Sequence, residues 1–252
     1  MKRRAMILAM LLAHLFGDYI LQWDNLSKWK SKRLSGVLLH GLIVTGVTLI
    51  FAVLIEPSWW PWAIFIGLTH TLIDALQLPI RRHMASQKSG KGALALFAAD
   101  QTAHLTIIAL VLIWSGYLEA PSLTDGVIAA SYDNKFLAFA LGYAFLTMPA
   151  WIIIRFFICG FMNGTAPDFS MRLGGKYSSM LERGLILTLV LFGQFILIPL
   201  ATLPRLIMEW SQPVAQPAGH QAFVGRRGLQ YMAELLVGVA LAVTIGLALR
   251  QL

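Results

Sequence analysis

Seven stretches of mostly apolar residues recur along the chain, at roughly 5–22, 36–55, 60–79, 93–114, 136–158, 183–203 and 229–249. A helix of about 20 such residues crosses a bilayer. The spacing therefore predicts an all-α polytopic transmembrane bundle of about seven spans. Composition agrees: 58% of the 252 residues are hydrophobic and 13% are charged, where a soluble domain carries about 25% charged residues. The formal charge of +8 suits cytoplasmic loops that meet anionic lipid better than it suits nucleic acid. A lone cysteine, Cys159, leaves no disulfide framework and no cysteine metal site. The N-terminus begins like a signal peptide, but Asp18 and Gln22 interrupt the place of a cleavage site, so it reads as retained.

The loops set the orientation. Side A denotes the face that receives the chain after the first span. Segment 23–35 mixes Trp23 and Trp29 with Lys28, Lys30, Lys32 and Arg33, which fits a stretch lying at the lipid surface. The 80–92 loop is short and basic, and 159–182 and 204–228 read as irregular. Trp59, Trp60 and Trp62 beside Pro57 form a turn with an aromatic belt. With seven spans, side A receives twelve Lys and Arg and side B seven. The excess predicts a cytoplasmic side A and an N-terminus outside.

Polar residues inside these spans carry the functional signal. His14, Asp18 and Gln22 recur every four residues, so on a helix they line one stripe. A carboxylate facing lipid costs roughly 2.5–3.5 kcal/mol on insertion scales, so the stripe should face protein or a wet cavity, which allows the short first span to be buried in the bundle. The same grammar returns at His70 and Asp74, and in reverse order at Asp100 and His104; His40 stands on the second span. Alternate spans run in opposite directions. At 1.5 Å per residue, all seven side chains then fall in one layer roughly 6–16 Å below side A.

Seven His and Asp side chains at one depth predict a metal site for Zn, Mn or Fe. His14, Asp18, His70, Asp74 and His104 are the candidate ligands. Asp100 is a ligand or general base, His40 a ligand or proton donor, and Gln22 and Gln101 would orient water or substrate. Without cysteine, an open, exchangeable site is expected over a closed zinc site. Arg155, Arg183 and Lys28 are candidates for a lipid or substrate phosphate, although snorkelling explains such cations as well. His83 and His220 fall in loops and take no role. Spans one to four (1–115) form the site-bearing half and 116–252 a supporting half. A lone intramembrane histidine is more often a packing residue than a ligand. A structural network, and an ion or proton pathway, therefore stay beside the metal reading. Transporters place their sites near the midplane on broken helices, whereas this layer is biased to one face.

HLFGDYILQ (14–22), Lys28, LLHGLI (38–43), HTLID (70–74) and DQTAHL (100–105) resemble a bacterial membrane-protein family known as domain of unknown function 3307. The resemblance extends to 174–194 and 230–238, and departs at LPRLIMEW (203–210), where a lysine-containing helix end is expected. It implies an inner-membrane protein and brings no activity. The pattern is more distantly similar to membrane-bound metal-dependent hydrolases, which also use intramembrane His and Asp near one face. Together these readings predict a metal-dependent hydrolase of a lipid-linked or phosphoester substrate, working among membrane lipids at the cytoplasmic side. A divalent-metal or proton transporter and a structural or partner-binding protein are the alternatives. Nothing indicates nucleic acid, a nucleotide cofactor or an oligomeric state.

Overall fold

A computed structural model of the protein describes residues 2–87, 89–119, 123–167, 173–210 and 221–252. The described residues are helical throughout, apart from turns and one isolated bridge between Ser89 and Thr165. The helices are α1 (Lys2–Leu15), α2 (Asp24–Lys30), α3 (Leu34–Ile55), α4 (Trp60–Gln87), α5 (Gly90–Trp114), α6 (Leu123–Asp133), α7 (Lys135–Leu146), α8 (Met148–Ile158), α9 (Leu173–Leu191), α10 (Ile198–Trp210) and α11 (Gln221–Arg250).

Four of these are long and apolar enough to cross a membrane, or six if each of two bent pairs counts as one span. In the first pair, α1 continues through a π-turn at Phe16–Ile20 and then bends by 90° into α2. That bend lays α2 across the bundle end. In the second pair, α7 and α8 meet at 43°. Pro149 sits in the first turn of α8 and lacks an N–H to continue α7.

The predicted span at 183–203 does not form as one helix. Its apolar run is cut at residues 192–194, where Gly193 takes φ 72°, a left-handed conformation open to glycine at little cost. α10 then folds back along α9, and Arg205 reaches Glu182 at 3.5 Å. The end of α11 comes to the same turn, with the Arg250 guanidinium over the Phe195 ring at 5.6 Å. The 80–92 loop is likewise shorter than expected. α4 runs on to Gln87 and α5 starts at Gly90, so His83 is helical. His220 lies outside the described residues.

Cross-links at the two ends agree with the alternation of spans. At one end Lys176 pairs with Asp24 at 3.1 Å, Arg82 donates to the Lys32 carbonyl, and Gly90 N–H donates to Gly164 O at 2.8 Å. At the other end Arg4 pairs with Asp133 at 2.8 Å and Lys2 with Glu56 at 3.3 Å. The Lys2 hydrogen bond holds the Glu56 carboxyl below the usual range.

α1 is the central element. Met6 to Met10, Leu12 and Ala13 are buried, and the helix packs on α3, α6 and α7. α3 and α4 form the closest pair. Thr71 lies against Gly41 and Thr45 against Gly67, a reciprocal fit of small residues that brings two backbones together. His40 and His70 are the immediate neighbours of Gly41 and Thr71, so this fit presses the two imidazoles together.

Candidate metal centre

All seven residues of the predicted layer are buried and meet in one cluster. His14 stands on α1 and Asp18 on the π-turn that follows it. A π-turn widens the helix by one residue and is frequent at functional sites. His40 comes from α3, His70 and Asp74 from α4, Asp100 and His104 from α5.

Four atoms form the tightest part. Asp18 Oδ1 lies 2.9 Å from His40 Nε2 and 3.3 Å from His70 Nε2. Asp74 Oδ2 lies 3.6 Å and 3.3 Å from the same two nitrogens, and the nitrogens are 3.1 Å apart. A tetrahedral ion with bonds of about 2.0–2.1 Å holds its ligands about 3.3 Å from one another. The five distances scatter around that edge.

The second part is looser. Asp18 Oδ2 is 4.0 Å from His14 Nε2 and 3.9 Å from His104 Nδ1, which is itself 3.9 Å from Asp100 Oδ1. The His104 ring stacks on His70 at 3.9 Å, and neither of its nitrogens has a hydrogen-bond partner. Three triads drawn from these residues are close enough to hold a metal ion: His14–Asp18–His70, His40–His70–Asp74 and Asp18–Asp100–His104.

Gln101 ties the parts together. Its Nε2 donates to Asp18 Oδ2 and Asp100 Oδ2, each at 3.1 Å. Its Oε1 accepts from the Tyr19 hydroxyl at 2.7 Å and lies 3.2 Å from His14 Nε2. Gln22, at the side-A edge, accepts from Lys30 Nζ at 3.3 Å.

Three participants are absent from the sequence reading. Tyr19 is one. Lys30 belongs to a run read as a solvated surface, yet it is buried and places Nζ 2.7 Å from Asp74 Oδ2 and 3.8 Å from Asp18 Oδ1. Arg81, read as part of a basic loop, stands on α4 and donates through Nη2 to Asp74 Oδ1 at 2.9 Å and Asp100 Oδ1 at 2.8 Å. Arg81 follows Asp74 by seven residues, so once α4 is extended the spacing puts both on one face. Lys30 carries no such signal. It arrives because α2 crosses α3 at Gly36, where a Cβ would lie 2.6 Å from Lys30 N and 2.5 Å from Trp29 C.

The phosphate candidates lie elsewhere. Lys28 is exposed on α2. Arg183, 1% exposed, donates to the Leu146 and Thr147 carbonyls at 2.8 and 3.1 Å and to Ser179 Oγ at 2.6 Å. It thus caps the break between α7 and α8. Arg155 pairs with Glu234 at 3.2 Å. Arg205, standing where a lysine-containing helix end was expected, is 3.8 Å from the same carboxylate. Glu234 therefore sits with Glu182 and Arg183, because α10 folds back and α11 starts from side A.

No curated protein and no solved structure matches the chain, and the similarity to metal-dependent hydrolases rests on the residue pattern alone. One family matches over residues 6–126, short of 174–194 and 230–238. That stretch, which holds the whole cluster with Lys30, Arg81 and Gln101, matches the family described as protein of unknown function (DUF3307).

Proposed function

We propose that the cluster is a divalent-metal centre within the membrane and that it hydrolyses a lipid-linked or phosphoester substrate reached from the cytoplasmic leaflet. One observation carries the reading: Asp18 Oδ1, His40 Nε2, His70 Nε2 and Asp74 Oδ2, from three separate elements, converge at distances of 2.9–3.6 Å. Two nitrogens and two carboxylate oxygens suit Zn, Mn or Fe. A bound ion of this kind supplies Lewis acidity for hydrolysis at neutral pH.

The chain's own groups fit the rest of the task. Arg81 stands half-buried between the cluster and side A, with a planar fork suited to phosphate oxygens. Gln22 and Lys30 lie at the same edge. Asp100 is within reach of Arg81 and His104 and serves as ligand or general base. Asp18 and Asp74 are held by His40, His70 and Lys30, and Gln101 fixes the far oxygen of Asp18. The return of α10 supports a cytoplasmic side A. It moves Arg205, Arg226 and Arg227 to that side and Arg250 to the other, which changes the balance from twelve against seven to fourteen against five.

One observation favours a second reading, a packing network. Lys30 and Arg81 bring two cations to three aspartates, so ion pairs alone offset much of the buried charge.

Metal analysis by inductively coupled plasma mass spectrometry separates the two. The sample is tag-free, detergent-purified protein, with His70→Ala/Asp74→Ala as control. Near-stoichiometric Zn, Mn or Fe that the double variant loses supports the metal centre, and phosphoester turnover in lipid nanodiscs that chelators abolish supports the hydrolase. A wild-type protein that takes up none of these ions after reconstitution leaves the packing network.

A further inference from the structure

Asp18 turns its two carboxylate oxygens toward two different sets of ligands, and we propose that it bridges two divalent ions in a binuclear centre. The proposal rests on the metal reading of the first position, formed by Asp18 Oδ1, His40, His70 and Asp74. It adds a second position formed by Asp18 Oδ2, Asp100 and His104, with His14 beside it.

Two observations point to a ligand at the second position. His104 is 2% exposed and neither ring nitrogen has a hydrogen-bond partner. A buried imidazole normally finds such partners, and here Nδ1 faces Asp18 Oδ2 and Asp100 Oδ1, each at 3.9 Å. The Gln101 amide orients both carboxylates, donating to Asp18 Oδ2 and Asp100 Oδ2 at 3.1 Å each. A small cavity of about 10 Å3 adjoins the position, lined by His14, His70 and His104 on one side and by Thr48 and five apolar side chains on the other, with room for about one water.

The two positions differ in kind. The first set is compact, with its two imidazole nitrogens 2.9–3.6 Å from the facing carboxylate oxygens. The second is spaced near 3.9–4.0 Å, wider than a tetrahedral edge of about 3.3 Å. Two carboxylates and an imidazole suit Mn, and so few protein ligands leave positions for water or substrate once they close in on the ion. Ions of two-metal hydrolytic sites stand about 3.5–4 Å apart, a separation one carboxylate bridges with an oxygen on each. The rings of His70 and His104, which face Asp18 Oδ1 and Oδ2 respectively, stack with centroids 3.9 Å apart.

The test uses full-length, tag-free protein in detergent, stripped with chelator and reloaded with Mn alone. Bound Mn per chain is counted, and the electron paramagnetic resonance spectrum is recorded. Two Mn per chain with an exchange-coupled spectrum is the expected result. His104→Ala then retains one Mn and gives an isolated six-line signal, and His104→Gln, closer in shape, does the same where the alanine variant does not fold. One Mn in the wild type overturns the binuclear centre, and its retention in the His104 variant leaves the first position standing. Two Mn without coupling overturn the bridge. No bound Mn overturns the binuclear centre, and the Zn and Fe analysis above then decides the first position separately.

Discussion

Lys30 Nζ lies 2.7 Å from Asp74 Oδ2, one of the four atoms that would hold the first ion. The pair makes a charge contact without hydrogen-bond alignment, and the same ammonium is 3.8 Å from Asp18 Oδ1. A divalent ion and Lys30 therefore compete for the same two carboxylates. Lys30→Met keeps the apolar stem and removes the charge. Removing a like charge at about 4 Å changes the local energy by roughly 1–4 kcal/mol, depending on the dielectric. We expect Lys30→Met to bind Mn at least tenfold more tightly, measured by competition with a chelating dye. Weaker binding would mean that Lys30 organises the site instead of competing for it.

Gly36 is the residue that lets Lys30 enter. A methyl group there would meet Trp29 C and Lys30 N at 2.5 and 2.6 Å, both of them backbone atoms. α2 must lift away from α3 to accept it, and overpacking of this kind costs about 1–3 kcal/mol. Gly36→Ala should lower the thermal midpoint in detergent and expose Lys30 to amine-reactive labelling, read by mass spectrometry. A variant with unchanged melting and a protected Lys30 would show that the crossing is looser than the structure has it.

Much of the site was legible because helical periodicity and alternating direction are enough to place His14, Asp18, His40, His70, Asp74, Asp100 and His104 at one depth. Lys30 and Arg81 were not, since periodicity does not report a 90° bend or the length of α4. The C-terminal half misled for a related reason. Hydropathy counts apolar residues and does not register that Gly193 ends a helix inside an apolar run. That one turn changes which face Arg205, Glu234 and Arg250 occupy.

Arg183 is the clearest stability determinant outside the site. Its guanidinium fills the gap left by the α7–α8 break, donating to Leu146 O and Thr147 O. Two buried carbonyls lose their donor in Arg183→Ala, at about 1–3 kcal/mol for each group left unsatisfied. Arg183→Lys keeps the charge but not the planar fork and should recover only part of the loss. Thermal unfolding in detergent should rank wild type above Arg183→Lys above Arg183→Ala, with Mn content equal in all three. Parity of the two variants with wild type would mean that the break is satisfied by other groups.

The return of α10 makes a prediction that needs no ligand. An odd number of crossings puts the chain ends on opposite faces; the α9–α10 hairpin makes the number even and puts them on the same face. Arg250 over Phe195, and Arg205 against Glu182, are the contacts that require it. In a Cys159→Ser background, single cysteines at Lys2, Lys28 and Arg250 can be probed with an impermeant maleimide on vesicles of both orientations. Positions 2 and 250 should label from one side and position 28 from the other. Fourteen cations against five then predict that position 28 labels from the cytoplasmic face. Labelling of 250 together with 28 would restore a full crossing at 183–203 and separate Arg205 from Glu182. The partly buried Arg155–Glu182–Arg205–Glu234 network could not then form as the structure has it, so this one experiment tests the packing of the whole C-terminal half.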